Sequence, residues 1–97
     1  MINIKRAEQL HLEELARLFN LYRIFYEQPS DEKLALKFLR ERMEKNESIV
    51  FVFEENPNKL NGFVQLYASF CSVSAEPILI LYDLFVEQEK RGEGIGR

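Results

Sequence analysis

The chain closes on ILYDLFVEQEKRGEGIGR, Ile80 to Arg97, and the reading of this stretch decides the fold. Its start belongs to an apolar run, Ile78 to Val86, interrupted by a single acid, Asp83. A short run that is apolar on both faces, with branched and aromatic side chains, predicts a buried strand. Strict alternation would put Ile78, Ile80, Tyr82 and Leu84 on one face and Leu79, Leu81, Asp83 and Phe85 on the other. Three of the four glycines in the chain then follow, Gly92, Gly94 and Gly96, between Arg91 and Arg97. Glycine lets backbone N–H groups approach an anion without obstruction from a Cβ. A helix beginning there adds unpaired donors and the positive end of its dipole. Strand, glycine loop and helix start together make a phosphate cradle. The Walker-type string G-x-x-x-x-G-K-[ST] does not occur. The dinucleotide pattern G-x-G-x-x-G begins at Gly92 and Gly94 but meets Arg97 at its last glycine, and it follows the fourth strand instead of the first. Taken alone, the glycines are also compatible with a flexible tail.

The rest of the chain sets the frame for that loop. Ile2-Asn3-Ile4 alternates and predicts a short first strand. From about Leu12, the residues Leu15, Leu18, Phe19, Tyr22, Phe25 and Tyr26 recur at helical spacing, so one face of a helix is buried. Pro29 disfavours helix at Gln28, and Ser30 is the expected cap of a second helix whose buried stripe is Leu34, Phe38, Leu39 and Met43. That helix should fade near Lys45-Asn46. SIVFVFE, Ser48 to Glu54, predicts a central strand, and the turn residues from Asn56 to Gly62 join it to a strand from Phe63 to Phe70 as a hairpin. On this third strand Val64, Leu66, Ala68 and Phe70 share one face, and Phe63, Gln65, Tyr67 and Ser69 share the other, which suits either solvent or a site. The element order is β-α-α-β-β-β, ending at the glycine loop.

Composition narrows the function classes. The chain of 97 residues suits one domain; it is 46% hydrophobic and 30% charged, which is ordinary for a globular protein. A net charge of −3 without a basic block gives no footing for nucleic acid. No apolar stretch reaches the ~18 residues of a membrane span, and the N-terminus carries no apolar signal core. One cysteine, Cys71, and one histidine, His11, provide neither an internal disulfide nor metal-ligand spacing. A reducing, cytoplasmic location is the expectation.

Joined to the D-L-F-V strand end and the element order, the final stretch resembles the signature of the GNAT superfamily of acyl-CoA N-acyltransferases. The family pattern [Q/R]-x-x-G-x-[G/A] runs from the fourth strand into the third helix, and Arg91, Gly94 and Gly96 fill its defined positions. The strand ending D-L-F-V is similar to that of small-molecule amine acetyltransferases. Family members often carry proline two residues after the strand's valine, where Gln88 stands here. The resemblance covers the whole chain but only the N-terminal portion of the family's fold. It implies a single, incomplete acetyltransferase-like domain over residues 1–97, of mixed α and β class with a mainly antiparallel sheet and two helices. The fragment could then be catalytically incompetent alone, or serve as a CoA-binding or interaction module.

The resemblance also implies the chemistry. Acetyl-CoA is the co-substrate and no metal takes part. Its pyrophosphate would rest on Arg91, Gly92, Glu93, Gly94, Ile95, Gly96 and Arg97, and its pantetheine on the backbone of Leu84, Phe85 and Val86. A backbone N–H near Phe85 or Val86 would polarise the thioester oxygen. A primary amine of a small molecule attacks directly, and a homodimer is left open. An alkyl amine, with a pKa near ~10, needs a base. Asp83 is the carboxylate in view, although a hydrogen-bonded structural Asp is the plainer reading. Tyr82, expected on the opposite face, is either core or an orienting group for the substrate. Gln65, Tyr67 and Ser69 read equally as a solvated face or an amine pocket. Phe25, Tyr26 and Glu27 read first as packing against the sheet, and through the resemblance as part of the acceptor pocket. His11 and Cys71 have no partner visible in the sequence.

Overall fold

The computed structural model describes residues 3–56 and 58–87. Within them the elements run β1 (Asn3–Arg6), a single 3-10 turn (Gln9–His11), α1 (Leu12–Phe25), α2 (Glu32–Glu44), β2 (Ser48–Asn56), β3 (Lys59–Cys71) and β4 (Glu76–Val86). The β-α-α-β-β-β order is the one read from the sequence. The four strands form one antiparallel sheet in the order β1-β2-β3-β4.

Both helices lie on one face of the sheet. Leu12, Leu15, Ala16, Leu18 and Phe19 of α1 and Ala35 and Leu39 of α2 meet Val50, Val52, Leu60, Phe63 and Phe85 in one buried cluster. Glu13 and Glu14 sit in the first turn of α1, where their charge suits the dipole. The helix ends because Glu27 adopts φ 65°, after which the Glu27 and Gln28 N–H groups fold back onto the carbonyls of Ile24 and Arg23.

Two expectations for α2 are corrected. Asp31, not Ser30, caps it: the Asp31 carboxylate accepts from the Leu34 N–H at 3.0 Å. Ser30 is engaged elsewhere, because its Oγ accepts from the amide of buried Asn20 at 3.1 Å, while Asn20 Oδ1 accepts the Asp31 N–H at 2.8 Å. The buried stripe is also rotated. Ala35 and Leu39 are fully buried and Leu36, Phe38 and Met43 pack at the margin, but Leu34 is 47% exposed. Small Ala35 lets α2 approach closely, which turns Leu34 outward.

The β2–β3 hairpin pairs Val52 with Phe63 and Val50 with Gln65, so these residues point toward the helices. Of the two readings left open for this face of β3, solvent or a site, solvent is ruled out for Gln65, which is 0% exposed beneath the helices. The β3–β4 ladder pairs Gln65 with Asp83 and then Leu66 with Leu81, so Tyr82 has no opposite number. One extra residue in β4 is a β-bulge. It resets the faces: Ile78 and Ile80 stand opposite Ser69 and Tyr67, and Asp83 and Phe85 stand opposite Gln65 and Phe63, all on the helix side. Strict alternation along Ile78–Val86 is thus corrected, because Ile80 and Asp83 share a face.

Candidate active site

The register beyond the bulge places the Asp83 carboxylate under α1. Asp83 is 6% exposed, Tyr22 donates its hydroxyl to Oδ1 at 2.8 Å, and Gln65 donates its amide Nε2 to Oδ2 at 3.1 Å. The Tyr22 ring is wedged among aromatic neighbours, with Phe19, Tyr26, Phe63 and Phe85 at centroid distances of 5.2–6.1 Å. Burial, then the hydrogen bond to Asp83, pushes the Tyr22 phenol far above its ordinary titration range. The Tyr67 phenol is pushed up to about 12, by burial first and then by the charge of Asp83 and a hydrogen bond to it. Both tyrosines therefore remain neutral donors around the acid at neutral pH.

The sequence pattern sets Tyr82 on the face opposite Asp83. Its ring instead packs T-shaped with that of Tyr67, at 5.3 Å and 73°, because the two residues at a bulge depart from alternation. It is 70% exposed, so it is not core. Phe25 and Tyr26 are 60% and 61% exposed, which corrects their expected packing against the sheet. Tyr26 touches Tyr22, and Phe25 touches Tyr26, so the pair extends the aromatic cluster outward from Asp83. Glu27 belongs to the turn that ends α1.

Beyond the bulge, Phe85 faces the helices, while Leu84 and Val86 share the other face; Phe85 and Val86 are buried and Leu84 is exposed. Gly62 stands opposite Val86, and a Cβ there would lie 2.5 Å from the Phe85 carbonyl oxygen, so only glycine lets β3 and β4 approach this closely. The next residue is clamped. Glu87 donates its N–H to the Asn61 carbonyl at 2.8 Å, and its carboxylate takes both Arg17 terminal nitrogens, at 3.0 and 3.3 Å. Arg17 holds the Glu87 carboxyl below its usual range. The expected pyrophosphate residues Arg91, Gly92, Glu93, Gly94, Ile95, Gly96 and Arg97 lie outside the described residues.

His11 is structural. Its Nδ1 accepts the Glu8 N–H at 3.0 Å, so its Nε2–H points at Glu54, 2.8 Å away, and Lys5 reaches the same carboxylate at 2.9 Å. Among the described residues no group of three or more His, Cys, Asp or Glu side chains gathers as a metal site would.

The model of the acetyltransferase (GNAT) family matches residues 12–97. This chain belongs to the GNAT acetyltransferase family. It is 45% identical over 95 residues to an uncharacterized N-acetyltransferase of Bacillus subtilis (strain 168), covering 98% of this chain and 63% of the relative. The crystal structure of a probable acetyltransferase matches with a TM-score of 0.82 at 39% identity, over 90% of this chain and 58% of that one. A predicted acetyltransferase of Clostridium acetobutylicum, solved with acetyl-CoA, shares the fold at 16% identity with a TM-score of 0.73, over 98% of this chain and 66% of that one. The chain thus spans about 60% of the length of its first two relatives.

Sequence reasoning missed Tyr22 as a partner of Asp83 and grouped it with the buried stripe. The signal was present in the residue types. A tyrosine where phenylalanine would pack as well, and a lone acid in an apolar strand, each need a hydrogen-bond partner when buried.

Proposed function

We propose that the protein is an acetyl-CoA-dependent N-acetyltransferase that acetylates a primary amine of a small molecule by direct attack. The observation that carries this reading is the state of Asp83 in a chain of this family. Among the described residues, buried Glu54 is paired with Lys5 and His11, and Glu87 with Arg17. Asp83 is about as deeply buried as Glu54, but its donors among the described residues are neutral: Tyr22, Gln65 and Tyr67. A buried carboxylate with no cation beside it costs stability, and it suits a group that must receive a cation or a proton.

An alkyl amine is mostly ammonium at neutral pH. Asp83 accepts one N–H proton from it and frees the nitrogen lone pair. Tyr82 and Tyr67, edge to face beside the acid, offer ring surface to the acceptor, and ring faces attract cationic heads. Tyr26 and Phe25 extend that surface. When bound, acetyl-CoA supplies the thioester carbonyl that the nitrogen attacks, with CoA leaving as thiolate. β4 is the outer strand of the described sheet, and the glycine contact at Gly62 draws its end onto β3. In this reading an extended donor lies along Leu84, Phe85 and Val86 at the end of β4 and adds like a strand. Arg91 to Arg97 would hold the pyrophosphate.

The test is calorimetric titration of the full-length protein with acetyl-CoA, followed by CoA release in the presence of primary amines such as ethylamine, 1,4-diaminobutane and lysine. Saturable binding and amine-dependent release are expected. Absence of both would sink the reading, while binding without release from any amine would favour a CoA-binding module.

A further inference from the structure

Asp83 is approached from three elements. From α1, the Tyr22 hydroxyl reaches Oδ1; from β3, the Gln65 amide reaches Oδ2 and the Tyr67 phenol lies against the same charge. The other titratable groups of this neighbourhood are Tyr26 beside Tyr22, Tyr82 of β4 beside Tyr67, and Arg42 of α2, whose charge is felt at Tyr67. A carboxylate turns easily about its last torsion, which is broad and roughly two-fold. One donor leaves that turn open. Two donors, one on each oxygen and from different elements, close it. Of the about four lone-pair directions on the two oxygens, one remains for an acceptor N–H once Tyr22, Gln65 and Tyr67 have donated.

The donors on Oδ1 and Oδ2, Tyr22 and Gln65, differ in origin. Gln65 is fully buried on the sheet that carries Asp83, so it moves with the strand. Tyr22 comes from a helix, and its hydroxyl position is fixed by the rings of Phe19, Phe63 and Phe85 packed around it. Its raised titration keeps it a donor.

We propose that Tyr22 is a positioning residue for acetyl transfer: its hydroxyl, fixed by the aromatic core, sets the angle at which Asp83 presents its free lone pair to the acceptor amine. The proposal rests on the acetyltransferase reading. It assigns Tyr22 no contact with substrate, so loss of the hydroxyl acts on turnover more than on binding.

Tyr22→Phe keeps the ring and its packing and removes only the donor. With 1,4-diaminobutane or whichever amine of the panel is turned over, kcat should fall roughly 10–100-fold, the range for a misaligned catalytic group. The KM values for amine and acetyl-CoA should stay within about threefold. The carbon-13 signal of the Asp83 carboxyl should move in the same variant. Separately, Asp83→Asn should bring tyrosine ionisation, followed by ultraviolet absorbance, to lower pH, because it removes the charge that Tyr22 and Tyr67 face. Unchanged kcat with an unmoved Asp83 signal overturns the proposal. So does a KM rise with kcat intact, which would make Tyr22 a binding residue. CoA release by neither protein would overturn the acetyl-transfer reading and this role with it, whereas the carbon-13 signal would still report whether Tyr22 holds the acid.

Discussion

Replacing Gly62 with alanine should loosen the end of β4. The added Cβ would lie 2.5 Å from the Phe85 carbonyl oxygen, 2.7 Å from Phe53 Cδ2 and 3.2 Å from Val86 Cα. Two of these three neighbours are backbone and cannot swing aside as a side-chain tip could. Non-bonded carbon atoms settle about 3.5–4.0 Å apart, so β3 and β4 must open by on the order of 1 Å at the Gly62–Val86 pair. Overpacking of this kind costs about 1–3 kcal/mol, and a backbone clash belongs at the upper end. An opposing effect exists, because alanine restricts the unfolded chain and returns about 0.4–1 kcal/mol where the native conformation accepts it. The clash outweighs that gain, so a net loss of about 2 kcal/mol is expected. Urea unfolding followed by far-UV circular dichroism should show the midpoint falling by about 1–2 M with little change in slope. Because the displaced residues are Phe85 and Val86, acetyl-CoA should also bind more weakly in a calorimetric titration. A Gly62→Ala protein with a midpoint at or above that of the unaltered chain would refute the reasoning, since it would mean that the two strands are not in close approach.

Asp83→Asn should lower amine-dependent CoA release by about 10²–10⁴-fold, the usual worth of a general base, with acetyl-CoA affinity kept; equal rates would remove Asp83 from the mechanism. The Glu54 carboxyl is held below its ordinary value of 4.5, by Lys5 first and then by His11. Its contribution is therefore full above about pH 4.5 and is lost as pH falls through the lower folded value. Glu54→Gln should flatten that acid limb in pH-dependent melts, and an unchanged limb would show that other carboxylates dominate it. Ala75 holds φ 57° in the β3–β4 turn, a conformation that strains an L side chain by about 1 kcal/mol or more. Ala75→Gly should thus gain about 0.5 kcal/mol after the entropic cost of glycine, and a lower urea midpoint would contradict this.

Much of the fold was legible in the sequence because its signals are local. Leu15, Leu18 and Phe19 declare a helix face by spacing, and SIVFVFE declares a central strand by composition. Asp83 stood out as the one acid in an apolar run. What stayed hidden depends on geometry between distant residues. Tyr22 and Asp83 are 61 positions apart, and Arg17 and Glu87 are 70. No periodicity within either segment announces such a pairing. The choice of Asp31 over Ser30 as a cap turned on Asn20, a residue of another helix that takes up the serine hydroxyl. The Leu34 stripe failed for a similar reason. Helical phase fixes which residues share a face, but the approach of the partner helix over Ala35 decides which part of that face is covered.

The bulge makes Tyr82 a residue that the ladder itself does not use. Leu81 already answers Leu66, and Asp83 already answers Gln65. If Tyr82 were deleted, these two pairs would become neighbours in an unbroken ladder, and the acid would keep its place under α1. What would go is the exposed ring beside Tyr67 and the local bend and extra twist that a bulge gives its strand. Substitution of Tyr82 has the opposite pattern of losses, since it removes the ring and leaves the bend. Insertion or loss of a residue at this point of β4 is therefore a route by which the surface beside the carboxylate can be reshaped while the carboxylate and its Tyr22 and Gln65 donors stay where they are.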